Sequence, residues 1–283
     1  MTRLVFGQTG QVAQELIRRA PEATFLSRSD ADLTNPEACA AAIHAHKPSL
    51  VINAAAWTAV DKAEEEETTA TTVNGTTPGA MAKACAALNI PFLHVSTDYV
   101  FDGSGSDAWT EDAPTAPLGA YGRTKLTGEN AIRASGAQHT ILRTAWVFST
   151  HGANFVKTML RLAETRDALN VVEDQIGGPT WAGHIAEALL TIADAFEAGQ
   201  GKTGTYHFAG APHISWAGFA TEIFTQAGQT IAVTGIPTEA YPTPAARPKN
   251  SRLDCAKITR DYGIQTPDWR IGLAATLKEL QSS

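Results

Sequence analysis

The sequence predicts an α/β protein built on a Rossmann-like, doubly wound parallel sheet, with a second and smaller α/β lobe. Two observations predict this fold class. Short apolar segments alternate with helical patterns through the first half of the chain, and a glycine-rich turn directly follows the first apolar segment. Strand–helix alternation of this kind specifies a parallel sheet that helices cover on both faces.

The elements follow in chain order. Strands are predicted at residues 4–6, 24–26, 50–53, 92–95 and 140–142, and helices at 12–19, 36–46, 78–88 and 121–134. Asn35 and Pro36 support the second helix, because Asn caps helices well and proline suits the first helical position. The acidic run at 64–67 is interpreted as a solvated helix face.

The second half has a different pattern, with helices predicted at 154–164, 183–197, 216–227 and 271–280 and short strands near 171–172 and 205–208. Prolines at positions 242, 244 and 248 exclude a regular helix in that segment. We therefore expect two units, a dinucleotide-binding domain at residues 1–148 and a lobe at 149–283 that mainly binds substrate.

Composition excludes several classes of protein. The 22 Lys and Arg residues against 29 Asp and Glu give a net charge of 22 − 29 = −7, which disfavours a nucleic-acid partner. An apolar content of 43% disfavours disorder, and no apolar stretch reaches the roughly 18 residues of a membrane span. Cys39, Cys85 and Cys255 are expected to be reduced, packed thiols in a cytoplasmic protein.

The glycine-rich turn predicts a phosphate-binding loop. Gly7, Gly10 and Ala13 form a G-x-x-G-x-x-A pattern between the first strand and the first helix, with Gln11 and Val12 opening that helix. Such a turn lets the backbone approach a pyrophosphate at a helix N-terminus, where unpaired N–H groups favour anions. A dinucleotide is therefore expected here.

The segment after the second strand bears on which dinucleotide binds. Arg28 can pair with a 2′-phosphate, whereas Asp30 or Asp32 can accept a hydrogen bond from a 2′-hydroxyl. The sequence favours NADP(H) and leaves NAD(H) open.

A Tyr and a Lys four residues apart predict proton-transfer chemistry. Tyr121 and Lys125 lie on one helix face, and a cation near a phenol lowers the pKa of that phenol toward neutrality. Thr97 ends the fourth predicted strand, where open α/β sheets bind their ligands. The loop, the Tyr/Lys pair and Thr97 together indicate a dinucleotide-dependent enzyme.

These motifs together resemble the extended short-chain dehydrogenase/reductase superfamily and, within it, the family of dTDP-4-dehydrorhamnose reductases. The resemblance covers nearly the whole chain. The segments that carry it are NAAAWTAVDKAE at 53–64, STDYVFDG at 96–103, RTAWVF at 143–148, GPTWA at 178–182 and RPKNSRLD at 247–254. The chain departs from the family pattern at Ala13 and Trp57, neither of which is a catalytic group.

The resemblance implies roles for individual residues. It implies that Tyr121 gives a proton to the C4 ketone oxygen of a dTDP-sugar, that Lys125 tunes Tyr121 and binds the nicotinamide ribose, and that Thr97 polarises the carbonyl. It also implies dinucleotide contacts at Gly10, Gln11, Val12, Asp32, Leu33, Ala56, Trp57 and Thr58. It implies substrate contacts at Asp98 and Trp146.

The second lobe must supply cations for a diphosphate. Arg247, Lys249 and Arg252 follow the proline cluster and can do so, since Arg suits bidentate phosphate recognition. Asn154 opens a predicted helix and is a further candidate for substrate binding. The histidines show no metal-ligand spacing, so no metal site is predicted. The resemblance implies that Mg²⁺ is possible, with Glu15 as a conceivable ligand, and that the protein can form a homodimer.

Two alternatives remain open at this point. A nucleotide-sugar epimerase or dehydratase shares the loop and the Tyr/Lys pair, although a dehydratase normally carries Asp-Glu after the catalytic Thr, where this chain has Asp98 and Tyr99. A non-catalytic protein resembling the regulatory subunit of methionine adenosyltransferase has a similar fold. Retention of Thr97, Tyr121 and Lys125 argues against a purely binding role.

Overall fold

The computed structural model describes residues 2–282. Helices and strands alternate along the chain, as the sequence predicts. The helices are α1 (Gln11–Arg19), α2 (Pro36–His46), α3 (Val60–Glu65), α4 (Glu67–Thr71), α5 (Thr77–Leu88), α6 (Ala120–Arg133), α7 (Phe155–Ala163), α8 (Ala182–Glu197), α9 (Trp216–Gln226), α10 (Ala256–Tyr262) and α11 (Trp269–Gln281). A π-helical turn spans Thr72–Thr76, and 3₁₀ turns span Asp98–Val100 and Thr238–Ala240.

The strands form four sheets. They are β1 (Arg3–Phe6), β2 (Thr24–Leu26), β3 (Leu50–Asn53), β4 (Phe92–Thr97), β5 (His139–Thr144), β6 (Val147–Phe148), β7 (Ala168–Val172), β8 (Ile176–Gly177), β9 (Thr180–Trp181), β10 (Gly204–His207), β11 (Ile214–Ser215), β12 (Ala232–Ile236) and β13 (Asn250–Ser251). The largest sheet has six parallel strands in the order β10-β5-β4-β3-β1-β2. The order reverses between β1 and β3, and such a switch point is where doubly wound sheets bind ligands.

Alternation along the strands builds a core on each face of this sheet. Leu4 and Val51 pack with α2 and α5 on one face, whereas Val5 and Ile52 pack with α1 and α8 on the other. Successive side chains of a strand point to opposite faces, so a strand covered on both sides reads as a continuous apolar run. The predicted Rossmann-like, doubly wound fold is therefore confirmed.

The second lobe has its own core, in which α7, α9 and α11 pack around Phe148, Phe219 and Trp269. Strand β7 pairs with β12, and β8 lies between β11 and β13. The chain nevertheless returns to the first sheet late in the sequence, because β10 pairs with β5 and α8 packs on α1. The division at residue 148 stays a prediction, and residues 182–207 lie with the first unit.

Most predicted elements are confirmed, and their bounds differ by a few residues. The Asn35 side chain accepts a hydrogen bond from the N–H of Ala38, as expected of a helix cap. Of the helical segment from α3 to the π-helical turn, only a helix face at 64–67 was predicted, and α10, β12 and the two-residue strands were not. Cys39, Cys85 and Cys255 are buried, unpaired thiols, as expected. Within residues 2–282 no helix has the length and hydropathy needed to cross a membrane.

Candidate active site

The glycine loop lies at the switch point between β1 and β3. Gly7 adopts φ +113°, a conformation that requires glycine, and a Cβ there would lie only 3.3 Å from the carbonyl carbon of Ala54. Gly10 precedes α1 without a side-chain cap, which leaves the first amides of the helix available to an anion. These residues fit the pyrophosphate of a dinucleotide.

Gln11 joins this loop to the second lobe. Its Nε2 donates to the carbonyl of Val147 at 3.3 Å, and its Oε1 accepts from Ser149 Oγ at 2.9 Å and from Asn154 Nδ2 at 3.0 Å. Asn154 also caps α7 by accepting from the N–H of Lys157 at 3.2 Å. The structure thus gives Asn154 a structural role, and the predicted substrate contact there stays a prediction.

The candidate contacts for the adenosine end lie after β2. Arg28 is largely exposed and pairs with Asp32 at 3.1 Å, so its guanidinium is held at the surface by one partner. The N–H of Thr34 holds the pKa of Asp32 below its usual range. Leu33 is buried, and its carbonyl accepts from Thr77 Oγ1 at 2.6 Å. An exposed arginine beside a backbone turn suits a 2′-phosphate.

The segment after β3 forms the opposite wall of the switch point. Ala56 and Thr58 are exposed, and the backbone N–H of Trp57 donates to Asn74 Oδ1 at 2.9 Å. The ammonium of Lys62 lies 5.4 Å from the centre of the Trp57 ring. The segment is thus fixed from its protein side and open on the other, as a dinucleotide contact requires.

The predicted proton donor lies at the carboxyl end of β4. Thr97 ends that strand, and the Tyr121 phenol in the first turn of α6 interacts with the Thr97 hydroxyl. Burial and the negative charge of Asp98 raise the pKa of Tyr121 above the usual value of a phenol. The expected lowering of this pKa by Lys125 is wrong, because the amino group of Lys125 is directed at Val95 and His94.

Two backbone features hold Tyr121 in place. Glu64 Oε1 accepts from the N–H of Ala120 at 2.7 Å, which caps α6 at its first residue. A Cβ on Gly122 would lie 2.2 Å from the carbonyl oxygen of Tyr99, so glycine is required for this close approach. The interpretation of the run at 64–67 as a solvated face is therefore wrong at Glu64, which points at the catalytic helix.

Lys125 is almost fully buried. Its Nζ lies 2.7 Å from the carbonyl oxygen of Val95 and 3.1 Å from His94 Nε2. Burial lowers the pKa of Lys125 to about 8, although the charge of Glu129 acts in the opposite direction. The lysine is thus held by β4 rather than by Tyr121.

Asp98 is a buried carboxyl next to Thr97, whose Oγ1 donates to Asp98 Oδ1 at 3.0 Å. Burial raises the pKa of Asp98 to about 6, and hydrogen bonds from the Ser251 and Thr97 hydroxyls oppose that shift. Ser251 lies in the 247–254 motif but was not predicted as a site residue. A carboxyl in this environment changes charge close to neutral pH, which is typical of functional sites.

Asp98→Asn is expected to be more stable than the wild type at neutral pH, by up to about 3 kcal/mol for a pKa raised by about two units. Because the folded-state pKa lies above the unfolded value, the wild type loses stability as the pH rises from 3.8 to about 6. The difference in the free energy of unfolding between Asp98→Asn and the wild type should therefore increase over that pH range. Urea unfolding at several pH values measures it.

Asp102→Asn is the matched control for this measurement. Hydrogen bonds from Ser104 keep the pKa of Asp102 below its usual range, so its replacement should not stabilise the protein at neutral pH. A gap between Asp98→Asn and the wild type that is independent of pH would show that Asp98 is not the group that titrates.

Trp146 is the candidate substrate contact with the most unusual conformation. It has φ +50°, which is rare for a bulky residue, whereas the other such non-glycine residues, Lys47 and Asn89, end helices. Its ring stacks on Trp216 with centroids 3.5 Å apart, and a Cβ on Gly177 would lie 2.7 Å from it. The half-buried ring is thus clamped, as suits a rigid wall of a sugar pocket.

The candidate phosphate-binding cations are already paired to different degrees. Arg247 Nη2 lies 2.8 and 2.9 Å from the two carboxylate oxygens of Asp61, which joins the second lobe to α3, whereas its buried Nη1 has no partner within residues 2–282. Arg252 Nη1 donates to Asn250 Oδ1 at 3.0 Å. Lys249 pairs with Asp174 at 2.8 Å and Glu239 at 2.9 Å, well out on the surface.

The surroundings of Glu15 do not fit Mg²⁺. This buried carboxylate pairs with Arg19, and its Oε1 lies 3.6 Å from Arg18 Nη1 and 3.5 Å from His151 Nε2. Neighbouring cations compete with a metal ion for the same oxygens. Residues 2–282 contain no cluster of three or more His, Cys, Asp or Glu side chains arranged for a metal.

Sequence patterns did not identify several residues that shape the site. His94, Ser251 and Trp216 contact predicted site residues from distant parts of the chain, and Glu64 caps the helix that carries Tyr121. Ser251 and Glu64 carried a usable signal, since each lies inside a segment that carries the family resemblance. The sheet, the open glycine loop and the Thr97–Tyr121 pair at one strand end define the class of protein, an extended short-chain dehydrogenase/reductase.

Comparisons with known proteins give the family. The model of the RmlD substrate binding domain family matches residues 1–282. The dTDP-4-dehydrorhamnose reductase of Sinorhizobium fredii is 44% identical over 278 residues, covering 95% of this chain and 94% of that protein. The enzyme of the same name from Escherichia coli K12 is 41% identical, covering 99% and 98%. The chain therefore belongs to the family of dTDP-4-dehydrorhamnose reductases.

Solved structures agree with this assignment. The dTDP-4-dehydrorhamnose reductase of Clostridium acetobutylicum has a TM-score of 0.93 at 37% identity, covering 99% of this chain and all of that one. The enzyme of the same name from Bacillus anthracis, solved in complex with NADP, has a TM-score of 0.91 at 30% identity, covering 98% and 99%. A UDP-glucose 4-epimerase from Thermus thermophilus, at 18% identity, shares the fold alone.

Proposed function

We propose that this protein uses NADPH to reduce the C4 ketone of dTDP-4-dehydro-L-rhamnose to the alcohol of dTDP-L-rhamnose. The observation that carries the proposal is the cluster of Thr97, Asp98 and Tyr121 at the end of β4. It lies beside the switch point at which the glycine loop opens. A ketone placed there meets a proton donor and a hydroxyl together.

The chain's own residues handle the proton. The bound dinucleotide supplies the hydride that reduces the carbonyl carbon. Tyr121 donates its phenolic proton to the carbonyl oxygen and becomes a phenolate, so the proton leaves Oη as the alcohol forms. The Thr97 hydroxyl, which donates to Asp98 in the free protein, can rotate to donate to the same oxygen. A high pKa keeps Tyr121 protonated until the carbonyl oxygen becomes basic.

Proteins of this fold also include epimerases and dehydratases, which release no net oxidised dinucleotide, and a cofactor assay separates them. Purified protein is mixed with NADPH and a 4-keto-6-deoxy dTDP-sugar, and the absorbance of the reduced nicotinamide is followed. We expect one equivalent of NADPH to be oxidised for each equivalent of sugar reduced. No net oxidation would contradict the proposal, and analysis of the sugar would then distinguish an epimerase or dehydratase from a binding protein.

The same assay tests the preference for NADPH. Arg28→Ala should weaken NADPH binding by about tenfold or more, because one charge-assisted hydrogen bond contributes about 1.5–3 kcal/mol, and should affect NADH little. Arg260→Ala is the matched control. Like Arg28, Arg260 is exposed and pairs with an aspartate close in sequence, which is Asp261 on α10. Equal losses for the two dinucleotides in Arg28→Ala would remove Arg28 from the 2′-phosphate site.

The remaining parts of the proposal concern the diphosphate and the setting of the enzyme. Arg247 and Arg252 are proposed to bind the substrate diphosphate, which the free Nη1 of Arg247 supports. The three unpaired thiols support a cytoplasmic location, where cysteines stay reduced. The homodimer implied by the resemblance stays a prediction, and nothing at Glu15 favours the implied Mg²⁺.

A further inference from the structure

Lys125 belongs to a buried chain of three polar side chains that the proposed reaction does not explain. Asn53 at the end of β3, His94 on β4 and Lys125 on α6 are all at most 1% exposed. Asn53 Nδ2 lies 3.1 Å from His94 Nδ1, and His94 Nε2 lies 3.1 Å from Lys125 Nζ. The imidazole thus links the amide to the amine.

The orientation of the Asn53 amide determines the first link. Its Oδ1 accepts from the backbone N–H of Ala55 at 3.1 Å. Turning the amide over would place its NH₂ group against that N–H, with two donors facing each other. Nδ2 therefore faces His94, and because an amide nitrogen only donates, His94 Nδ1 must be an unprotonated acceptor.

The imidazole then determines the second link. Burial keeps the pKa of His94 well below its usual value, so the ring is neutral and carries a single N–H. With Nδ1 unprotonated, that hydrogen lies on Nε2 and points at Lys125 Nζ. An ammonium has no lone pair with which to accept it, whereas a neutral amine accepts it and still donates to the Val95 carbonyl at 2.7 Å.

The charged groups around Lys125 do not overturn this arrangement. On α6, Glu129 favours an ammonium, but its carboxylate lies 2.9 and 2.7 Å from two Arg143 nitrogens and also pairs with Arg133. The phenol of Tyr121, on the same helix, is uncharged. In the 3₁₀ turn that follows β4, the Asp98 charge acts on Tyr121. Glu129 therefore brings little net negative charge to the amine.

We propose that Asn53 and His94 are positioning residues that hold Lys125 as an uncharged amine in the protein without ligand. The consequence for Tyr121 rests on the proposed reduction. An ammonium on the same helix face would stabilise the phenolate, whereas an amine leaves the phenol with the proton that it gives to the ketone. The donor bond from His94 exists only for the amine, so it acts in the same direction as burial, which lowers the pKa of Lys125 to about 8.

Nuclear magnetic resonance of the whole protein tests both links without measuring activity. With ¹⁵N-labelled histidine, the His94 signals are those lost in His94→Gln. We expect a protonated Nε2 and an unprotonated Nδ1 throughout the range in which free histidine titrates, about pH 5 to 8. With ¹³Cε-labelled lysine, the signal lost in Lys125→Met should titrate below about pH 8.

Asn53→Asp should reverse the arrangement. A carboxylate can still accept from Ala55, and it also accepts from a protonated His94 Nδ1, which frees Nε2 to accept from an ammonium. We expect the His94 tautomer to switch and the pKa of Lys125 to rise by one unit or more, of the order seen for a group beside a new opposite charge. Asn89→Asp, which adds the same charge at the exposed end of α5, should leave both signals unchanged.

A wild-type His94 protonated on Nδ1, or a Lys125 that titrates at or above about pH 8, overturns the proposal. So does a folded Asn53→Asp protein in which the tautomer does not change. If Asn53→Asp fails to fold, the wild-type spectra decide. Failure of the NADPH assay would leave these spectra unaffected, so the two proposals can fail separately.

Discussion

Tyr121→Phe is expected to lower kcat by about 10²–10⁴-fold, the usual contribution of a general acid. The substitution removes only the hydroxyl at the end of β4, where the Thr97 hydroxyl meets it. The ring, the α6 cap from Glu64 and the glycine loop all remain. We therefore expect little change in NADPH affinity or melting temperature, measured by calorimetry beside steady-state kinetics.

Tyr99→Phe is the matched variant for this experiment. The two tyrosine rings meet edge to face with centroids 5.5 Å apart, and burial raises the pKa of each. The Tyr121 phenol interacts with the Thr97 hydroxyl, whereas Tyr99 donates to that hydroxyl through its backbone N–H at 3.2 Å, a contact that phenylalanine keeps. Tyr99→Phe should therefore retain most of the activity. A larger loss in Tyr99→Phe, or retention of more than about a tenth of kcat in Tyr121→Phe, would assign the proton to a different group.

Glu129→Ala is expected to lower the free energy of unfolding by about 3–5 kcal/mol, because it leaves a buried arginine without its partner. Glu129 and Arg143 are both at most 1% exposed, and two guanidinium nitrogens of Arg143 bind the carboxylate at 2.9 and 2.7 Å. Ser96 Oγ donates to the same carboxylate at 2.7 Å. The pair attaches α6, which carries Tyr121, to β4 and β5. Urea unfolding at neutral pH measures the effect.

Two further variants separate the charge from the cavity. Glu67→Ala removes a partly exposed carboxylate on α4 that binds Arg123 of α6 at 2.9 Å, and it should cost at most about 1 kcal/mol. Glu129→Leu combined with Arg143→Met should cost less than Glu129→Ala alone, since no charge is left unpaired. If the double variant is the less stable of the two, loss of packing rather than an isolated charge explains the result.

Local sequence patterns point to several residues of the candidate site. Gly7 was recognisable because its turn has a positive φ and approaches Ala54 closely, and Gly10 because a second glycine follows directly before the first helix. Tyr121 and Lys125 were recognisable because spacing on a helix places them on one face. The protonation states of Tyr121 and Lys125 were not recognisable from the sequence. The pKa of Tyr121 depends on burial and on Asp98, and the pKa of Lys125 depends on burial and on Glu129.

The sequence by itself determined the strand–helix alternation, the phosphate loop and the family resemblance, because each depends on short segments whose residues lie close together in the chain. Only the tertiary structure decided that α8 and β10 return to the first sheet, that Asp61 binds Arg247 and that His94 meets Lys125. These contacts join residues 31 to 186 positions apart. Periodicity carries no information at that range, since such pairs meet only when packing of the whole core brings their elements together.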